Sequence, residues 1–547
     1  MESTLRNMNS PRQFTILLFF LWSAAFIVAC SPGSNTDSEA STLNRGLSGE
    51  PESLDPHRST SNQAIAVSRD IGEGLTSYAA NGALEAGVAL RWEESSDSLT
   101  FTFYLRPEAR WSNGSKVLAS DFAFAFRRLV DPQTAAPYAE FVSAIRNASE
   151  IVKGELPKDE LGVVAIEPLV LQIQLHTPTP HFLQLLAHPA TFPINEDVFR
   201  SIGEKLFTPG NHVSNGAYVL DKWIVGSSIS LRRNNLFWDN ESTDIDRVFY
   251  HFVNQNAEFD RYRAGELDIT ANVPESIFSR VRKDRPSELR ISPYLGIYYF
   301  GFNLSKGPFS NNQKLRQALS VAIDRQIVVD KITGRGEIPA YSWVPPGVNL
   351  HAQQEYEFAI LGRAEREDMA RQLFLEAGFG PGTEFEFELR YNTFDGHQRI
   401  ALAVQAMWRD VLGVKVNLVN EEYKVFIDSV RSKDKTDVFR LSWTGDYNDA
   451  LSFLQIMKSD NPSNLTGYSN TEFDQFVALA EREPDPVLRK SQLEKAEIIA
   501  MADYPVIPLY FYVSKHLVSP SIVGWENNVM DLHLSRHLSF GESSKSR

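Results

Sequence analysis

The sequence predicts an α/β protein of more than one domain, and three observations support this fold class. The chain has 547 residues, of which 43% are hydrophobic and 22% charged, as is typical of large globular proteins. Segments with alternating apolar residues, which predict strands, are interspersed with segments of helical spacing. Phe385–Tyr391, Gln398–Leu412 and Val414–Val419 follow one another as strand, helix and strand, which indicates a right-handed crossover.

In chain order, the first half of the sequence predicts short strands separated by helices. Ala119–Val130 has helical spacing and starts with Ser120 as its N-cap. Asn113-Gly114 predicts a hairpin turn, because this pair tolerates positive φ. Further helices are expected at Ala64–Leu75, His181–Ala187 and Ala257–Ala264. Alternation predicts strands at Leu43–Gly46, Leu99–Leu105, Val163–Leu175, Ser214–Leu220, Ile229–Arg232, Val248–Val253 and Leu267–Ile269.

The second half of the sequence predicts longer helices around a second set of strands. The aromatic run Tyr294–Asn303 is typical of an extended segment, and Gly307-Pro308 indicates the entry to a new domain. Val506–Val513 is a last apolar strand. Helical spacing occurs at Gln313–Ile332, Glu365–Ala377, Tyr423–Val430, Asn470–Ala480 and Pro486–Asp503.

The segment Asp437–Ala450 (DVFRLSWTGDYNDA) concentrates binding chemistry at the end of a predicted strand. The strand breaks at Thr444-Gly445, and Arg440, Trp443 and Asp446 lie within seven residues of one another. Asp446 can accept hydrogen bonds from an ammonium group, and Arg440 can hold a carboxylate through two parallel bonds. A zwitterionic ligand needs both an acid for its ammonium group and an arginine for its carboxylate. The alternative is an Asp that caps a turn and an Arg in a surface ion pair.

The charge and the N-terminal segment limit the function classes. A formal net charge of −15 argues against a nucleic-acid-binding protein, which needs a basic face. Arginines followed by the apolar run Phe14–Ala29 indicate a secretory signal that is too short to span a membrane. The ending Ile27–Cys30 resembles a bacterial lipobox, which implies lipid attachment at Cys30; a plain signal peptide is the alternative. Ser31–Ser41 is typical of a flexible tether.

Six motifs occur in an order that resembles one known family. They resemble the oligopeptide-binding lipoproteins and periplasmic proteins that supply ABC importers, known as solute-binding family 5. The resemblance runs from about Leu43 to about Leu534. The motifs are Glu50–His57 (EPESLDPH), Leu105–Gly114 (LRPEARWSNG), Asp121–Pro132 (DFAFAFRRLVDP), Ser214–Tyr218 (SNGAY), Arg316–Arg325 (RQALSVAIDR) and Trp443–Asn448 (WTGDYN).

The resemblance implies a bilobal periplasmic-binding-protein fold of type II, with three domains and a hinge crossed twice. The crossings are expected near Tyr298–Asn303 and Tyr512–Lys515. The implied division is a signal peptide at 1–29, a tether at 30–42, domain I at 43–72, 197–297 and 514–547, domain II at 73–196 and domain III at 298–513.

The resemblance also implies a function: capture of short peptides between domains I and III, followed by delivery to a membrane permease. The peptide backbone would pair with strand edges at Thr60–Asn62 and Ser442–Thr444. Asp446 would hold the peptide's ammonium group, and Arg440 and His397 its carboxylate. Trp443 and Tyr423 would line side-chain pockets. The protein would be a monomer in the cell envelope, with no catalysis, cofactor, metal ion or nucleic acid.

Two departures and several alternatives qualify the resemblance. Thr60 stands where a Glu helps to hold the ligand in the family, and Tyr423 stands where a Trp is common. The same fold with a nickel chelate, sugar, opine or cell-wall peptide as ligand is the main alternative, and a signalling receptor is another. No hydrolase or metalloprotease motif is present. His533 and His537 are four residues apart, but we interpret this spacing as chance.

Overall fold

The structure is a computed structural model that describes residues 40–380, 382–434 and 436–541. The predicted signal, Cys30 and most of the tether lie outside the described residues. No helix among the described residues combines the length and the apolarity that crossing a bilayer requires.

The α-helices are, in chain order, α1 Asn62–Ile71, α2 Ala119–Val130, α3 Ala148–Val152, α4 Phe182–Leu185, α5 Glu196–Ile202, α6 Gln255–Arg263, α7 Phe278–Asp284, α8 Gln313–Val321, α9 Arg325–Ile327, α10 Arg363–Glu376, α11 Asp395–Leu412, α12 Tyr423–Ser432, α13 Leu451–Leu454, α14 Thr471–Ala480 and α15 Pro486–Asp503. A π-helix occupies Val328–Thr333. Short 3₁₀ turns occur at Ala139–Val142, Lys158–Glu160, Pro189–Thr191, Gly203–Phe207, Asn240–Ser242, Glu275–Ile277, Glu357–Ile360, Gln455–Met457 and Ser535–His537.

The first sheet joins segments that are far apart in the sequence. Its strand order is β1–β10–β9–β8, and β1 is parallel to β10. Helix α1 packs on it through Val67 and Ile71, which lie in one buried cluster with Leu43 and Leu231. The chain leaves this sheet after β1 and returns about 170 residues later, so the intervening segment forms a separate layer. The strands are β1 Thr42–Leu47, β8 Tyr218–Ile224, β9 Ser228–Arg233 and β10 Arg247–Phe252.

The second sheet is antiparallel, and α2 covers one of its faces. Its order is β4–β5–β7–β6, and Phe122 and Phe126 of α2 are buried with Phe103 of the sheet. The single strand predicted over Val163–Leu175 is wrong, because the segment folds into a hairpin. Strand bounds are β2 Thr76–Tyr78 and β3 Leu84–Ala86, which form a separate ribbon, and β4 Ala89–Glu94, β5 Thr100–Leu105, β6 Val163–Glu167 and β7 Val170–Gln174.

The N-cap prediction for α2 is also wrong. Leu118 precedes the helix, and Ser120 is inside its first turn. Asp121 instead accepts a hydrogen bond from the Leu118 backbone N–H at 3.0 Å. A carboxylate in the first turn stabilises the positive end of the helix dipole.

The third sheet is mixed and has the order β12–β16–β11–β15–β13–β14. The predicted crossover is confirmed: β13 and β14 are parallel, and α11 connects them. The bounds are β11 Leu289–Phe302, β12 Ile338–Pro339, β13 Glu386–Asn392, β14 Lys415–Glu421, β15 Val438–Thr444 and β16 Val506–Leu517, and a small ribbon pairs β17 Ile522–Val523 with β18 Ser539–Phe540.

Strands β11 and β16 are the longest pair in the described structure. They are antiparallel from Leu289, opposite Leu517, to Gly301, opposite Val506. Their register shifts between Pro293 and Ile297, where the backbone pairing is interrupted. Together the two strands join the buried cluster of Leu289 and Leu517 to the cores on either side of the third sheet.

Candidate functional site

Strand β15 has one edge that is only partly covered. On one side it pairs with β11 along its whole length, from Val438 to Thr444. On the other side it pairs with β13 only at Val438 and Phe439. From Arg440 onward this second edge has no strand neighbour among the described residues. Since Ser442 and Thr444 are exposed, the edge can accept an added extended chain.

Arg440 lies at the inner end of this edge, and its guanidinium group contacts only neutral partners. It donates to Ser442 Oγ at 3.2 Å, to Asn392 Oδ1 at 3.3 Å and to the Tyr512 hydroxyl at 3.4 Å. Only 9% of Arg440 is exposed, and among the described residues no carboxylate pairs with it. A buried guanidinium without a counter-ion is costly, and a bound carboxylate would reduce that cost. The surface ion pair considered for Arg440 is therefore not what the structure contains.

His397 lies beside Arg440, at the start of α11. Its Nδ1 is 3.3 Å from the Tyr298 hydroxyl, and the guanidinium of Arg440 lies over the same tyrosine ring. Burial and the charge of Arg440 lower the pKa of His397 to about 3. The imidazole is therefore neutral at physiological pH and can donate one hydrogen bond to a carboxylate.

Asp446 lies beyond the other end of the edge, in the loop after β15. Its backbone N–H donates to Ser452 Oγ at 3.2 Å, and its carboxylate has no partner among the described residues. Although the side chain is solvent-exposed, desolvation by nearby protein raises its pKa. Burial raises the pKa values of Tyr138 and Tyr294, and the charge of Asp446 raises both further, at Tyr294 by less than the charge of Asp531 does.

The neighbouring Asp449 has a structural role that separates it from Asp446. Its carboxylate binds the Arg489 guanidinium through two bonds of 2.6 and 2.9 Å. It also accepts a bond from the Leu451 backbone N–H at 2.9 Å. Of the two acids in the DYND sequence, only Asp446 is available to a ligand.

Thr60–Asn62 does not form a strand in this structure, and its role as an edge for the ligand backbone stays a prediction. Asn62 begins α1, and Ser61 caps that helix by accepting from the Ala64 N–H at 3.2 Å. The Glu52 carboxylate accepts the backbone N–H groups of both Thr60 and Ser61. The segment is a capped loop, and two of its backbone donors are already occupied.

Trp443 and Tyr423 occupy different environments. The indole N–H of Trp443 donates to the Ser452 carbonyl at 2.8 Å, and its ring packs partly against a buried cluster. Tyr423 is the first residue of α12, and 58% of it is exposed. Trp443 can form a rigid pocket wall, whereas Tyr423 is free to move onto a ligand. Their pocket roles remain predictions.

Two further charged residues were not singled out from the sequence. Glu52 accepts hydrogen bonds from Thr60 and Ser61, and its charge raises the pKa of Tyr138. It thus supplies a carboxylate beside Thr60, where the resemblance leads us to expect a Glu. Burial alone would raise the pKa of Glu52, but the hydrogen bonds from Ser61 and Thr60 lower it to about 2.

The second is Arg69 of α1, whose Nε is buried without an acceptor. Its surroundings include the hydroxyl groups of Tyr138 and Tyr294, and burial lowers its pKa. Neither Glu52 nor Arg69 has a local sequence signal, because each depends on contacts that only the folded chain creates.

Two of the family-like motifs meet in the core instead of at this site. Arg128 of α2 forms two hydrogen bonds with the Asp55 carboxylate, at 2.8 and 2.6 Å, and both side chains are buried. The same guanidinium lies 2.8 Å from His57 Nδ1. This bidentate pair gives the Asp-Pro-His segment and the Arg-Arg segment a structural role in the core.

Comparison with known proteins gives consistent matches. A model of the bacterial extracellular solute-binding proteins, family 5, matches residues 83–464. The periplasmic oligopeptide-binding protein OppA of Salmonella typhimurium is 37% identical over 533 residues, which is 95% of this chain and 98% of that protein.

Two solved structures show the same fold with different degrees of similarity. The murein tripeptide-binding protein MppA in its unliganded open form has a TM-score of 0.85 at 37% identity, over 92% of this chain and 98% of that one. Haemophilus influenzae OppA in complex with the peptide RPPGFSPFR has a TM-score of 0.72 at 34% identity, over 92% and 99%. By TM-score, the structure of this chain is thus more similar to the unliganded open form of MppA than to the peptide complex of OppA.

Proposed function

Because the chain belongs to the family 5 bacterial extracellular solute-binding proteins, we propose that it captures short peptides and delivers them to an ABC importer. The observation that carries this proposal is the free edge of β15, with Arg440 at one end and Asp446 beyond the other. A peptide added to this edge would direct its ammonium group to Asp446 and its carboxylate to Arg440 and His397. The edge spans roughly 13 Å before the loop, which suits extended peptides of about three to five residues.

Capture would use the hinge between domains I and III, in the division expected from the sequence. The register break of β11 between Pro293 and Ile297 supports a flexible crossing a few residues before Tyr298–Asn303. β16 would form the second crossing. The greater similarity to an open, unliganded relative supports an open cleft that closes on the ligand.

The proposed location is the outer face of a membrane, with a lipid on Cys30 and a tether to the folded part. In this arrangement the protein is a monomeric, non-catalytic carrier, and its partners are a peptide and the permease. Globomycin treatment of cells, which blocks cleavage of lipoprotein signals, should leave a longer precursor. A chain processed normally under this treatment would contradict the lipid anchor.

A cell-wall peptide is the second candidate ligand, and Arg69 is the observation in its favour. Such peptides carry more carboxylates than ordinary tripeptides, and one relative binds murein tripeptide. Arg69 lines a cavity together with Tyr294, and its guanidinium has no acid partner among the described residues. It could therefore pair with an additional carboxylate of the ligand.

Native mass spectrometry of the chain from Ser31 onward, before and after unfolding to remove ligand, tests both candidates. A series of bound masses that match peptides of about two to five residues supports general peptide capture. A single mass equal to a cell-wall peptide supports the second candidate. An empty protein that ignores added tri- and tetrapeptides would contradict both.

A further inference from the structure

Three side chains that can bind a metal ion meet on the wall of the cavity of about 450 Å³ that Arg69 also lines. They are His516 of β16 and, after it in the chain, Asp531 and His533. The Nε2 atoms of the two histidines lie 2.9 and 3.2 Å from Asp531 Oδ1. All three donor atoms are within 4.8 Å of one another. The four-residue spacing of His533 and His537 was interpreted as chance, and the fold instead places His533 beside Asp531 and the distant His516.

We propose that His516, Asp531 and His533 form a binding site for a divalent transition-metal ion such as Zn²⁺, Co²⁺ or Ni²⁺. Two imidazole nitrogens and one carboxylate oxygen are a donor set that these ions accept. Donor atoms a few ångströms apart can share one ion at the usual bond length of about 2.0–2.2 Å. Because the three residues line a cavity, at least one coordination position would face solvent.

The two imidazole rings are held in orientation by other groups. His516 Nδ1 lies 2.8 Å from the Thr270 carbonyl, which can only accept, so this nitrogen carries a proton and Nε2 faces Asp531. A metal-binding histidine commonly has such a second hydrogen bond to a backbone carbonyl. The His533 ring stacks on Trp525 with the ring centres 3.5 Å apart.

The charges around the cluster are mixed. Arg45 lines the same cavity, but its Nη1 donates to the His533 carbonyl and to Ser535 Oγ, both at 2.8 Å. Glu258 is buried near His516, and its Oε2 has no partner among the described residues. Asp531 and Glu258 can together offset the charge of a divalent ion, with Arg45 held by other acceptors.

Titration of the untagged, chelator-treated protein with Co²⁺ tests the proposal, because visible absorption reports nitrogen and oxygen coordination. We expect one ion per chain, displaced by Zn²⁺, and at least a 10-fold loss of affinity in His533→Ala and in Asp531→Asn. His537→Ala is the matched control, since its imidazole contacts the Arg536 side chain and not Asp531. This control should bind Co²⁺ as the unaltered protein does.

Two outcomes would overturn the proposal. One is the absence of Co²⁺ absorption and of any rise in melting temperature with excess Zn²⁺. The other is an equal loss of affinity in His537→Ala and His533→Ala, which would indicate adventitious histidine binding. The circular dichroism spectrum and the melting temperature of each variant in the absence of metal show that it is folded. Because the metal titration contains no peptide, its result is also independent of the proposed transport function.

Discussion

The guanidinium carbon of Arg440 lies 4.6 Å from the centre of the Tyr298 ring, a contact between a cation and an aromatic face. Tyr298 belongs to β11, Tyr512 to β16 and His397 to α11, so three elements converge on the one cation of β15. The aromatic ring and the hydroxyl groups stabilise the charge only in part. This arrangement supports the proposal that Arg440 binds the carboxylate of the ligand.

Replacing Arg440 with Gln should weaken the binding of tri- and tetrapeptides about 10- to 100-fold, because a charge-assisted hydrogen bond contributes roughly 1.5–3 kcal/mol. Isothermal titration calorimetry with a peptide that has a free carboxylate measures the effect. The control ligand is the same peptide with an amidated C-terminus, which should bind both proteins with similar, weaker affinity. An equal loss for both ligands would show that Arg440 does not hold the peptide's carboxylate.

Replacing Asp446 with Asn should also weaken peptide binding by about 10-fold or more, because the ammonium group of the ligand would lose its counter-ion. The melting temperature should change little, since the carboxylate has no partner among the described residues.

Asp449→Asn is the matched control for Asp446→Asn. It breaks the buried pair with Arg489 and should lower the melting temperature. Acetylating the peptide's N-terminus should remove the difference between Asp446→Asn and the unaltered protein. Full affinity in Asp446→Asn for a peptide with a free N-terminus would contradict the assignment.

Local patterns predicted much of the third sheet but not its open edge. The alternation in Val438–Thr444 and the turn after it are local, so β15 and the positions of Arg440 and Asp446 followed from the sequence. The free edge depends on partners about 140 residues away in β11 and on the short overlap with β13. Such pairings leave no local signal.

Long-range contacts also shape the other expected edge. Thr60–Asn62 followed only from the resemblance, and no local rule shows that Glu52 occupies two of its backbone donors. The choice of Asp446 over Asp449 followed from the resemblance and not from local chemistry, because Arg489, which separates their roles, is 40 residues further along.

The buried pair of Asp55 and Arg128 should contribute strongly to stability. Replacing Arg128 with Met leaves the Asp55 carboxylate buried without its cation, which costs about 3–5 kcal/mol. Chemical denaturation monitored by tryptophan fluorescence measures the change. Arg200→Met removes an exposed pair with Glu196 and should cost less than about 1 kcal/mol. An equal loss of unfolding free energy in Arg128→Met and Arg200→Met would mean that the buried pair stabilises the protein no more than a surface pair does.

Glu258 should make the stability of the protein depend on pH. Burial raises the pKa of Glu258 from 4.5 to about 7. The hydrogen bond that its carboxylate accepts from the Ala271 N–H offsets this effect only in part. In the unfolded chain the group ionises near its ordinary pKa, so the folded state binds the proton more tightly. The resulting stabilisation is complete below about pH 4.5 and is lost as the pH rises through about 7.

The variant Glu258→Gln is uncharged at every pH and should therefore not show this loss. We compare the free energies of unfolding of Glu258→Gln and the unaltered protein at each pH. The variant's value minus that of the unaltered protein should rise by roughly 3 kcal/mol as the pH is raised from about 5 to about 8. Denaturation curves at several pH values, recorded with a chelator present, give this difference. Buried histidines that do not interact with Glu258 cancel in the comparison, whereas the charge of His516 acts on Glu258 and is part of the measured difference. A difference that stays constant over this range would show that Glu258 is already ionised in the folded protein at low pH.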